Sequence, residues 1–482
     1  MGIFAERGER IAVDSVPNKT ISLQPFFAEQ DPEAWWISTV TLIRRLLAHH
    51  TAIGSTISAI AVTGQMHAPV LVNAEGKSLG MCQIWRDSRA QVETREISER
   101  VSERVLYRIT GYHLSPYLTA PRLIWIKKRE RKRYLKTKHV LLPKDYIRSR
   151  LTGDVSTDWS DANGTGLFDI RKKNWSHEIC RALKLDLSKM PLIKGPHEVV
   201  GEITEAAAKT TGLKKGIPVV TGSGDDVVQL GTGPKNRELA VNIGTSCSTF
   251  LMVPEPTYDS KSRLECFVGF SPRRWLLSGT TASAGSSVDW ILKNTSPSFT
   301  KKTDKSNYSH LCDLVGNPPI RNQLVFLPYL DGERTPIWDS RATGAFLGLT
   351  LRHTRDDLIR AVLEGVCFSV RSILELTEKL AGRVSLLRVA GGATSSLAWM
   401  QMLANTTNRQ VAIPLESEAT LLGAAMLAAV GSGLFATVEE AAELQHVKTH
   451  LYPNPLSTRK YEKMYETFVN ASRFYLMRND GQ

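Results

Sequence analysis

Cysteine is scarce in this chain of 482 residues: six are present, and no two of them form a CxxC pair. Cysteines so few and so scattered exclude a disulfide framework and a cysteine-based zinc site. Unpaired thiols are typical of a reducing compartment, so we expect a cytoplasmic protein.

Long hydrophobic runs are equally rare. The longest weakly apolar stretch, residues 421–436, is short and rich in Gly and Ala, which favours a packed helix over a membrane span. The first ten residues, MGIFAERGER, lack the apolar core of a secretory signal. We therefore expect neither secretion nor a membrane partner.

Acidic residues are outnumbered: 61 Lys and Arg stand against 48 Asp and Glu, a net charge of +13. Such an excess can attract anionic ligands such as nucleotides. The densest basic run, residues 127–133, follows an apolar stretch typical of a helix. No zinc finger, RNP motif or interleaved aromatics accompany it, so we interpret it as a solvated helix face and expect no nucleic-acid partner.

Strand-like and helix-like segments alternate along the chain, which favours a mixed α/β fold. Helical periodicity is clear over residues 356–380, 398–405 and 421–430. The strand-like segments are short apolar runs at residues 58–62, 140–142, 217–220, 240–243 and 387–390. The chain is long enough for several domains, and two successive strand–glycine units favour a division into residues 1–219 and 220–482.

The two commonest nucleotide-binding motifs, GxxxxGK[ST] and GxGxxG, are absent from the sequence. Their absence argues against Walker-type and Rossmann-type binding. Three glycine-containing turns instead follow predicted strands, at residues 221–226, 243–248 and 389–396. The first of these turns carries two adjacent acids, Asp225 and Asp226.

From the residues alone, each turn has two interpretations. Asp225 lies beyond the carboxyl end of a strand, where α/β folds bind ligands, but a purely structural turn explains it as well. The hydroxyls and amides of residues 243–248 suit a phosphate, and a plain turn stays open there too. The glycines at 391–392 allow a base to approach closely, and Ser395 or Ser396 suits a helix N-cap.

Two longer motifs, taken in order, resemble the signatures of the FGGY family of carbohydrate kinases. Residues 344–349, then Asp357-Leu358, then residues 361–364 are similar to the second family signature. Residues 119–125 resemble the first signature, with Arg122 where Lys is usual. The likeness extends over nearly the whole chain.

Within that family, the xylulokinase group is the nearest likeness. Five stretches carry it, and each is similar to a motif of that group: residues 29–36, 64–67, 142–146, 157–166 and 332–336. The resemblance implies transfer of a phosphoryl group from ATP to D-xylulose or a related ketose. Another pentulose, a hexulose or a polyol stays open as the substrate.

The resemblance also implies a fold and a set of site residues. The fold is α/β and actin-like, with two RNase H-like domains flanking a deep cleft. ATP and Mg²⁺ are the implied cofactors, no side chain is implied as a metal ligand, and a homodimer is compatible. The implied residues are Asp225 as catalytic base; Gln65, Met66, His67 and Asp226 for the sugar; and Gly244, Thr245, Ser246, Gly391, Gly392, Ala393 and Asn405 for ATP.

Besides Arg122, the chain departs from the family pattern at its start and in the sugar motifs. The family opens with a strand and a DxGT phosphate loop, and no DxGT occurs here. A missing start or a degenerate, catalytically impaired member that binds sugar or nucleotide as a regulator would each explain this. Asp226 stands where the xylulokinase group usually carries Asn, and Ala68 where it usually carries Gly. Both changes would alter hydroxyl recognition.

Overall fold

The computed structural model describes residues 1–51, 54, 56–295 and 324–479. Up to residue 232 the chain alternates short strands with helices. The strands are β1 (Gly2–Phe4), β2 (Arg10–Val13), β3 (Glu29–Gln30), β4 (Thr63–Gly64), β5 (Val70–Val72), β6 (Cys82–Gln83), β7 (His139–Leu141), β8 (Ser156–Asp158), β9 (Phe168–Asp169), β10 (Asn174–Trp175), β11 (Leu192–Lys194), β12 (Val199–Glu202), β13 (Pro218–Val220) and β14 (Ser223–Gly224).

Ten helices connect these strands. They are α1 (Pro32–His49), α2 (Gln91–Arg100), α3 (Glu103–Thr110), α4 (Thr119–Arg129), α5 (Arg131–Lys136), α6 (Pro143–Thr152), α7 (Trp159–Asn163), α8 (His177–Ala182), α9 (Glu205–Thr211) and α10 (Val228–Thr232). Among the described residues, the strands of this half pair two by two: β1 with β2, β3 with β6, β4 with β14, β5 with β7, β8 with β11, β9 with β10 and β12 with β13.

The second half of the chain is built on one large sheet. The described strands of this half are β15 (Glu238–Ile243), β16 (Cys247–Val253), β17 (Glu265–Val268), β18 (Trp275–Thr281), β19 (Val325–Leu327), β20 (Ala345–Leu347), β21 (Leu386–Ala390), β22 (Gln410–Pro414) and β23 (Val447–Leu451). Strands β19 and β20 pair with each other, apart from the large sheet. Its helices are α11 (Gly285–Thr295), α12 (Arg355–Ala381), α13 (Leu397–Thr407), α14 (Ala419–Gly431), α15 (Val438–Ala442) and α16 (Pro455–Asn479).

The large sheet has seven strands in the order β17-β18-β16-β15-β21-β22-β23. Strands β15, β21 and β22 run parallel, and the outer neighbours are antiparallel. The parallel strands are nearly continuous apolar runs because both faces of the sheet are covered. One face packs on α11, α12, α13 and α16, and the other packs on apolar residues of the first half.

Helix α12 shows why the sequence folds as it does. It begins at a capping box in which the Thr354 side chain accepts from the Asp357 N–H and the Asp357 carboxylate accepts from the Thr354 N–H. Its buried face carries residues at helical spacing, including Ile359, Leu363 and Val366. The helix predicted over residues 356–380 is therefore confirmed.

Most other predicted elements are also confirmed, with small shifts at their ends. The helices expected at 398–405 and 421–430 are α13 and α14, and Ser396 caps α13 by accepting from the Trp399 N–H. Helix α14 packs as expected, with Leu422, Met426 and Leu427 buried. No helix in the described ranges is long and apolar enough to cross a membrane.

The strand predicted at residues 58–62 is wrong. This segment is extended but makes a single bridge, from Ile60 to Val219, and a regular strand begins only at Thr63. The reason is that this segment has a hydrogen-bonded neighbour on one side only. There, the Ile60 N–H donates to the Pro218 carbonyl and the Ile60 carbonyl accepts from the Val220 N–H. The other edge borders a cavity of about 1520 Å³ lined by residues 1–9, by α1 and by α14.

The described cysteines are unpaired and the basic run lies on helices, as the sequence predicted. The five cysteines within the described residues are free and buried, and Cys312 lies outside those residues. The basic run crosses from α4 into α5, where Lys128 pairs with Glu96 and Arg133 pairs with Glu130. Part of the positive charge of the basic run is thus neutralised by these acids.

The division into residues 1–219 and 220–482 stays a prediction.

Candidate active site

Strand pairing brings Asp225 beside the motif at residues 64–67. Strands β14 and β4 are parallel, with Gly224 opposite Gly64, so both chains leave the pair at the same edge. The Thr63 hydroxyl donates to the Gly224 carbonyl at 3.0 Å and ties the two strand ends together. The strand ends that lead to Asp225 and to Met66 are therefore adjacent, although 159 positions separate these two residues.

Gly224 is required for this contact. A Cβ atom there would lie 2.5 Å from Met66 Cγ and 3.1 Å from Asp226 Oδ1. The Met66 and Asp226 side chains consequently flank the same glycine. We call the group Met66, His67, Tyr112, Asp225 and Asp226 the Asp225 site.

His67 is held in one tautomer. Its backbone is left-handed, with φ of 69°, and its Nδ1 lies 2.5 Å from the Gly164 carbonyl oxygen. Because a carbonyl only accepts, Nδ1 carries the proton and Nε2 is left as an acceptor. Burial lowers the pKa of His67 to about 4, and the nearby Arg122 and Arg334 charges act in the same direction. The ring is therefore neutral at physiological pH.

Tyr112 forms the aromatic wall of the Asp225 site. Its ring stacks on Phe267 of β17, with centroids 4.8 Å apart, and meets the His67 ring edge-on at 5.8 Å. Phe267 and Glu265 are two positions apart on β17, so their side chains share one face of the sheet. Glu265 is buried on this face, and burial raises its pKa to about 7.

Asp225 has the electrostatics of a base. Its side chain is exposed to the cleft at the end of β14. Desolvation by the surrounding walls raises its pKa to about 6, while a backbone hydrogen bond and the Arg334 charge act in the opposite direction. Arg334 is itself held over the rings of Tyr117 and Trp85, at 5.3 Å and 6.0 Å.

Asp226 lies deeper than Asp225. It is 4% exposed, and its Oδ1 lies 3.1 Å from the Ser223 hydroxyl oxygen. Desolvation raises the pKa of Asp226 to about 8, and the neighbouring Asp158 and Asp225 carboxylates add to the shift. Its Oδ2 is buried and has no hydrogen-bond partner among the described residues.

Gln65 points away from the other sugar candidates. Its Nε2 donates to Gln30 Oε1 at 3.0 Å, and Trp35 Nε1 donates to the same oxygen at 2.9 Å. Gln65 and Gln30 both line the 1520 Å³ cavity, whose walls also include Lys144 and Trp85. That cavity adjoins the Asp225 site rather than enclosing it.

A second group of predicted residues forms a turn at 244–246, which we call the 244 turn. The N-terminus of α11 holds it: Gly285 N–H donates to the Gly244 carbonyl at 2.9 Å, and Ser286 N–H donates to the Thr245 carbonyl at 3.1 Å. With the carbonyls engaged, the N–H and hydroxyl groups of Thr245 and the hydroxyl of Ser246 have no partner within the described ranges. The turn is a set of free donors.

Gly391 lies directly against the 244 turn. Strands β15 and β21 are parallel, so Ile243 and Ala390 end at one edge of the sheet. Gly391 has φ of 92°, and a Cβ atom there would lie 2.4 Å from the Ile243 carbonyl oxygen. A Cβ on Gly392 would meet nothing within 4 Å, which leaves open space beside the turn. The structure thus brings Gly244–Ser246 and Gly391–Ala393 together.

Asn405 has a local structural role. Its Oδ1 accepts from the Asn454 N–H at 2.8 Å and from Gln401 Nε2 at 3.0 Å. The side chain therefore fixes the loop before α16 against α13. Its predicted role toward adenosine is not tested by these contacts and stays a prediction.

The two groups of candidate residues are connected through residues 282–285 and 333–334. Glu333 accepts from the Ala282 N–H at 2.8 Å, and Gly285 N–H reaches Gly244. Arg334, next to Glu333, influences the charge of Asp225. Arg334 therefore lies close enough to Asp225 to favour its ionised form.

Sequence reasoning missed several of these residues. Tyr112 and Glu265 lie outside any motif, and nothing in their local sequence marks them. Lys144, Asp158 and Asp161 fell within quoted motifs but received no role. Their elements are polar in sequence, PKDYIRSRLT, STD and WSDAN, so nothing in the sequence showed that these charged side chains are buried together.

Comparison with known proteins gives one family for both halves of the chain. Residues 1–230 match the FGGY family of carbohydrate kinases, N-terminal domain, and residues 239–432 match its C-terminal domain. The chain is 32% identical to a xylulose kinase of Bacillus subtilis over 92% of this chain and 88% of that protein. It is 30% identical to a xylulose kinase of Staphylococcus xylosus, with 97% and 95% covered.

A comparison with solved structures gives the same kind of protein. A protein described as a xyloylose kinase from Brucella ovis superposes with a TM-score of 0.89 at 28% identity, covering 97% of this chain and 95% of that one. The predicted actin-like ATPase fold with two RNase H-like domains is thereby confirmed. By sequence and by structure, this chain belongs to the FGGY family of carbohydrate kinases.

Proposed function

We propose that this chain transfers the terminal phosphoryl group of ATP to a hydroxyl of a small ketose, with D-xylulose as the first candidate. The observation that supports the proposal is the parallel pairing of β14 with β4, in which Gly224, the residue before the solvent-accessible Asp225, packs against Met66. The names of the similar xylulose kinases direct the choice of sugar.

Asp225 would act as the general base. With a pKa of about 6 it is mostly ionised at neutral pH and can accept the proton of a sugar hydroxyl within hydrogen-bond reach. His67 would orient the sugar, because its free Nε2 accepts from a second hydroxyl. Tyr112 would pack against the carbon skeleton. Phosphoryl transfer asks the protein mainly for positioning and charge stabilisation.

The 244 turn would hold the phosphates of ATP. The amide and hydroxyl donors of Thr245 and Ser246 are unpartnered in the described structure, and such donors suit phosphate oxygens. Gly391, Gly392 and Ala393 would leave room for the nucleoside, since a side chain at 391 would collide with the Ile243 carbonyl just before the 244 turn. Asn405 would support this region indirectly by fixing residue 454.

Mg²⁺ fits this site as a companion of ATP. Among the described residues no group of three or more His, Cys, Asp or Glu side chains could hold a metal ion. The ion would therefore be held mainly by phosphate oxygens and water, which is its usual mode with nucleotides. When bound, it neutralises charge that develops on the phosphate oxygens.

A substrate panel tests the proposal. We would measure kcat/KM with ATP and Mg²⁺ for D-xylulose, other pentuloses, hexuloses and polyols. We expect a ketose to rank first, with polyols that lack the carbonyl at least tenfold lower, because a hydrogen-bonding site penalises a missing partner. A polyol in first place, or equal rates for every sugar, would contradict the ketose assignment.

A further inference from the structure

A buried cluster of charged side chains lies beside the Asp225 site. Lys144 of α6 is fully buried, and its Nζ contacts Asp145 Oδ1 at 2.5 Å, Asp158 Oδ1 at 2.9 Å and Asp161 Oδ2 at 3.7 Å. Arg148 Nη1 lies 3.0 Å from Asp145 Oδ1. We call these five residues the Lys144 cluster.

A line of oxygen atoms connects the Lys144 cluster to Asp226. The Ser160 hydroxyl donates to Asp158 Oδ2 at 2.5 Å. Ser160 Oγ lies 2.6 Å from Ser223 Oγ, and Ser223 Oγ lies 3.1 Å from Asp226 Oδ1. All four side chains are at most 4% exposed, so no bulk water takes part.

The number of hydrogens available along this line of contacts determines whether Asp226 is protonated. Three oxygen–oxygen contacts need three hydrogens, and each serine hydroxyl supplies one. Asp158 Oδ2 accepts from the N–H groups of Ser160 and Asp161 and from the Ser160 hydroxyl, so the Ser160 hydrogen is used there and Ser223 must donate to Ser160. The remaining hydrogen, between Ser223 and Asp226, can come only from Asp226.

We infer that Asp226 is neutral and protonated in the resting enzyme. The chain of hydrogen bonds from Asp158 through Ser160 and Ser223 keeps it in that state, and Lys144 anchors Asp158. Asp226 Oδ1 then donates to Ser223. Its Oδ2, buried and unpartnered among the described residues, is left as an uncharged acceptor for one hydroxyl of the sugar. Asp226 therefore presents the same pattern of donor and acceptor as an amide would. Only the role toward the sugar rests on the proposed function.

The surrounding charges agree with a neutral Asp226. The charged or titratable groups that act on it or on which it acts are Lys144, Asp158, Asp161 of α7, Asp225 and Tyr112. Two buried cations of the Lys144 cluster face four carboxyls when Asp226 is included. Burial raises the pKa of Asp161, and the neighbouring Asp145, Asp158 and Asp226 carboxyls act in the same direction. Arg148 also pairs with Asp154, at 3.2 Å, so it is not free to neutralise Asp226.

Two serine variants separate this inference from a general loss of packing. In Ser160→Ala, the Ser223 hydroxyl no longer donates to residue 160. It can then donate to Asp226 Oδ1, which stabilises the ionised form of Asp226. In Ser223→Ala, Asp226 loses the one side-chain hydrogen-bond partner it has among the described residues and stays protonated in its buried place. The two changes each delete one buried hydroxyl, so a purely structural role would affect Asp226 similarly in both.

Infrared difference spectroscopy of the full chain provides the test. We would record the carbonyl band of a protonated carboxylic acid at pH 7, using Asp226→Asn to assign it. We expect the band in the unsubstituted protein and in Ser223→Ala, and its loss in Ser160→Ala. A band absent from the unsubstituted protein, or unchanged in Ser160→Ala, would overturn the inference.

The pH dependence of activity gives a second, separate readout. If the sugar needs the neutral form, kcat/KM should fall above a pH of about 8, and Ser160→Ala should move this alkaline limb to lower pH. The infrared result does not depend on catalysis. A protonated Asp226 in a protein that phosphorylates no sugar would therefore refute the proposed function and leave the inference standing.

Discussion

Asp225→Asn should lower kcat by about 10²–10⁴-fold, the range that general base catalysis contributes. The amide has nearly the same shape as the carboxylate but cannot accept the sugar proton. Because the Met66 and His67 contacts are unchanged, KM for the sugar should change far less than kcat. Steady-state kinetics with ATP and D-xylulose measures both constants.

The pH profile makes this prediction sharper. In the unsubstituted protein, kcat/KM should rise as pH increases through about 6, since Asp225 is protonated and inactive below that pKa. Asp225→Asn should abolish this acid limb. An exposed acid in the first turn of α12 provides the control, because Asp356→Asn should leave rate and profile as they are. Full activity of Asp225→Asn would remove Asp225 from the mechanism.

Gly391→Ala should destabilise the protein by at least about 2 kcal/mol and weaken ATP binding. At φ of 92° and ψ of 177°, residue 391 adopts a backbone conformation that is essentially confined to glycine. The added methyl would also approach the Ile243 carbonyl oxygen to 2.4 Å, so the 244 turn must move. Thermal unfolding and ATP titration by calorimetry measure the two effects.

The neighbouring glycine is a matched control for the stability measurement. Gly392 has no positive φ, and a Cβ atom there meets nothing within 4 Å. We expect Gly392→Ala to unfold at nearly the same temperature as the unsubstituted protein. If both variants unfolded alike, the close contact between Gly391 and Ile243 would not be a constraint on the fold.

Local sequence predicted the parts of the site that depend on local chemistry. Gly244 and Gly391 each follow an apolar strand, and parallel strands end at a common edge, so their grouping could be expected. Asp225 follows a strand of a different pair, so its position relative to them could not. The resemblance supplied Met66 and His67. What the sequence could not show is which distant groups meet, such as Ser160 and Ser223, which lie 63 positions apart.

The strand predicted at residues 58–62 was wrong because it too depends on contacts with distant residues. Residues 58–62 have the composition of a strand, but a strand also needs neighbours at its edges, and only Ile60 obtains bonds, on one side. Tyr112 and Glu265 were missed because their placement follows from the stacking of Tyr112 on Phe267 across the two halves of the chain. Tertiary contacts of this kind leave no local signature.

Label transfer tests the central claim most directly. The purified chain would be mixed with ATP labelled in the γ-phosphate, Mg²⁺ and D-xylulose, and the label would be traced to sugar phosphate or to inorganic phosphate. The account predicts label in sugar monophosphate, dependent on the ketose and lost in Asp225→Asn. Folded protein that binds ATP yet leaves the label in ATP, or releases it only as inorganic phosphate, would contradict it.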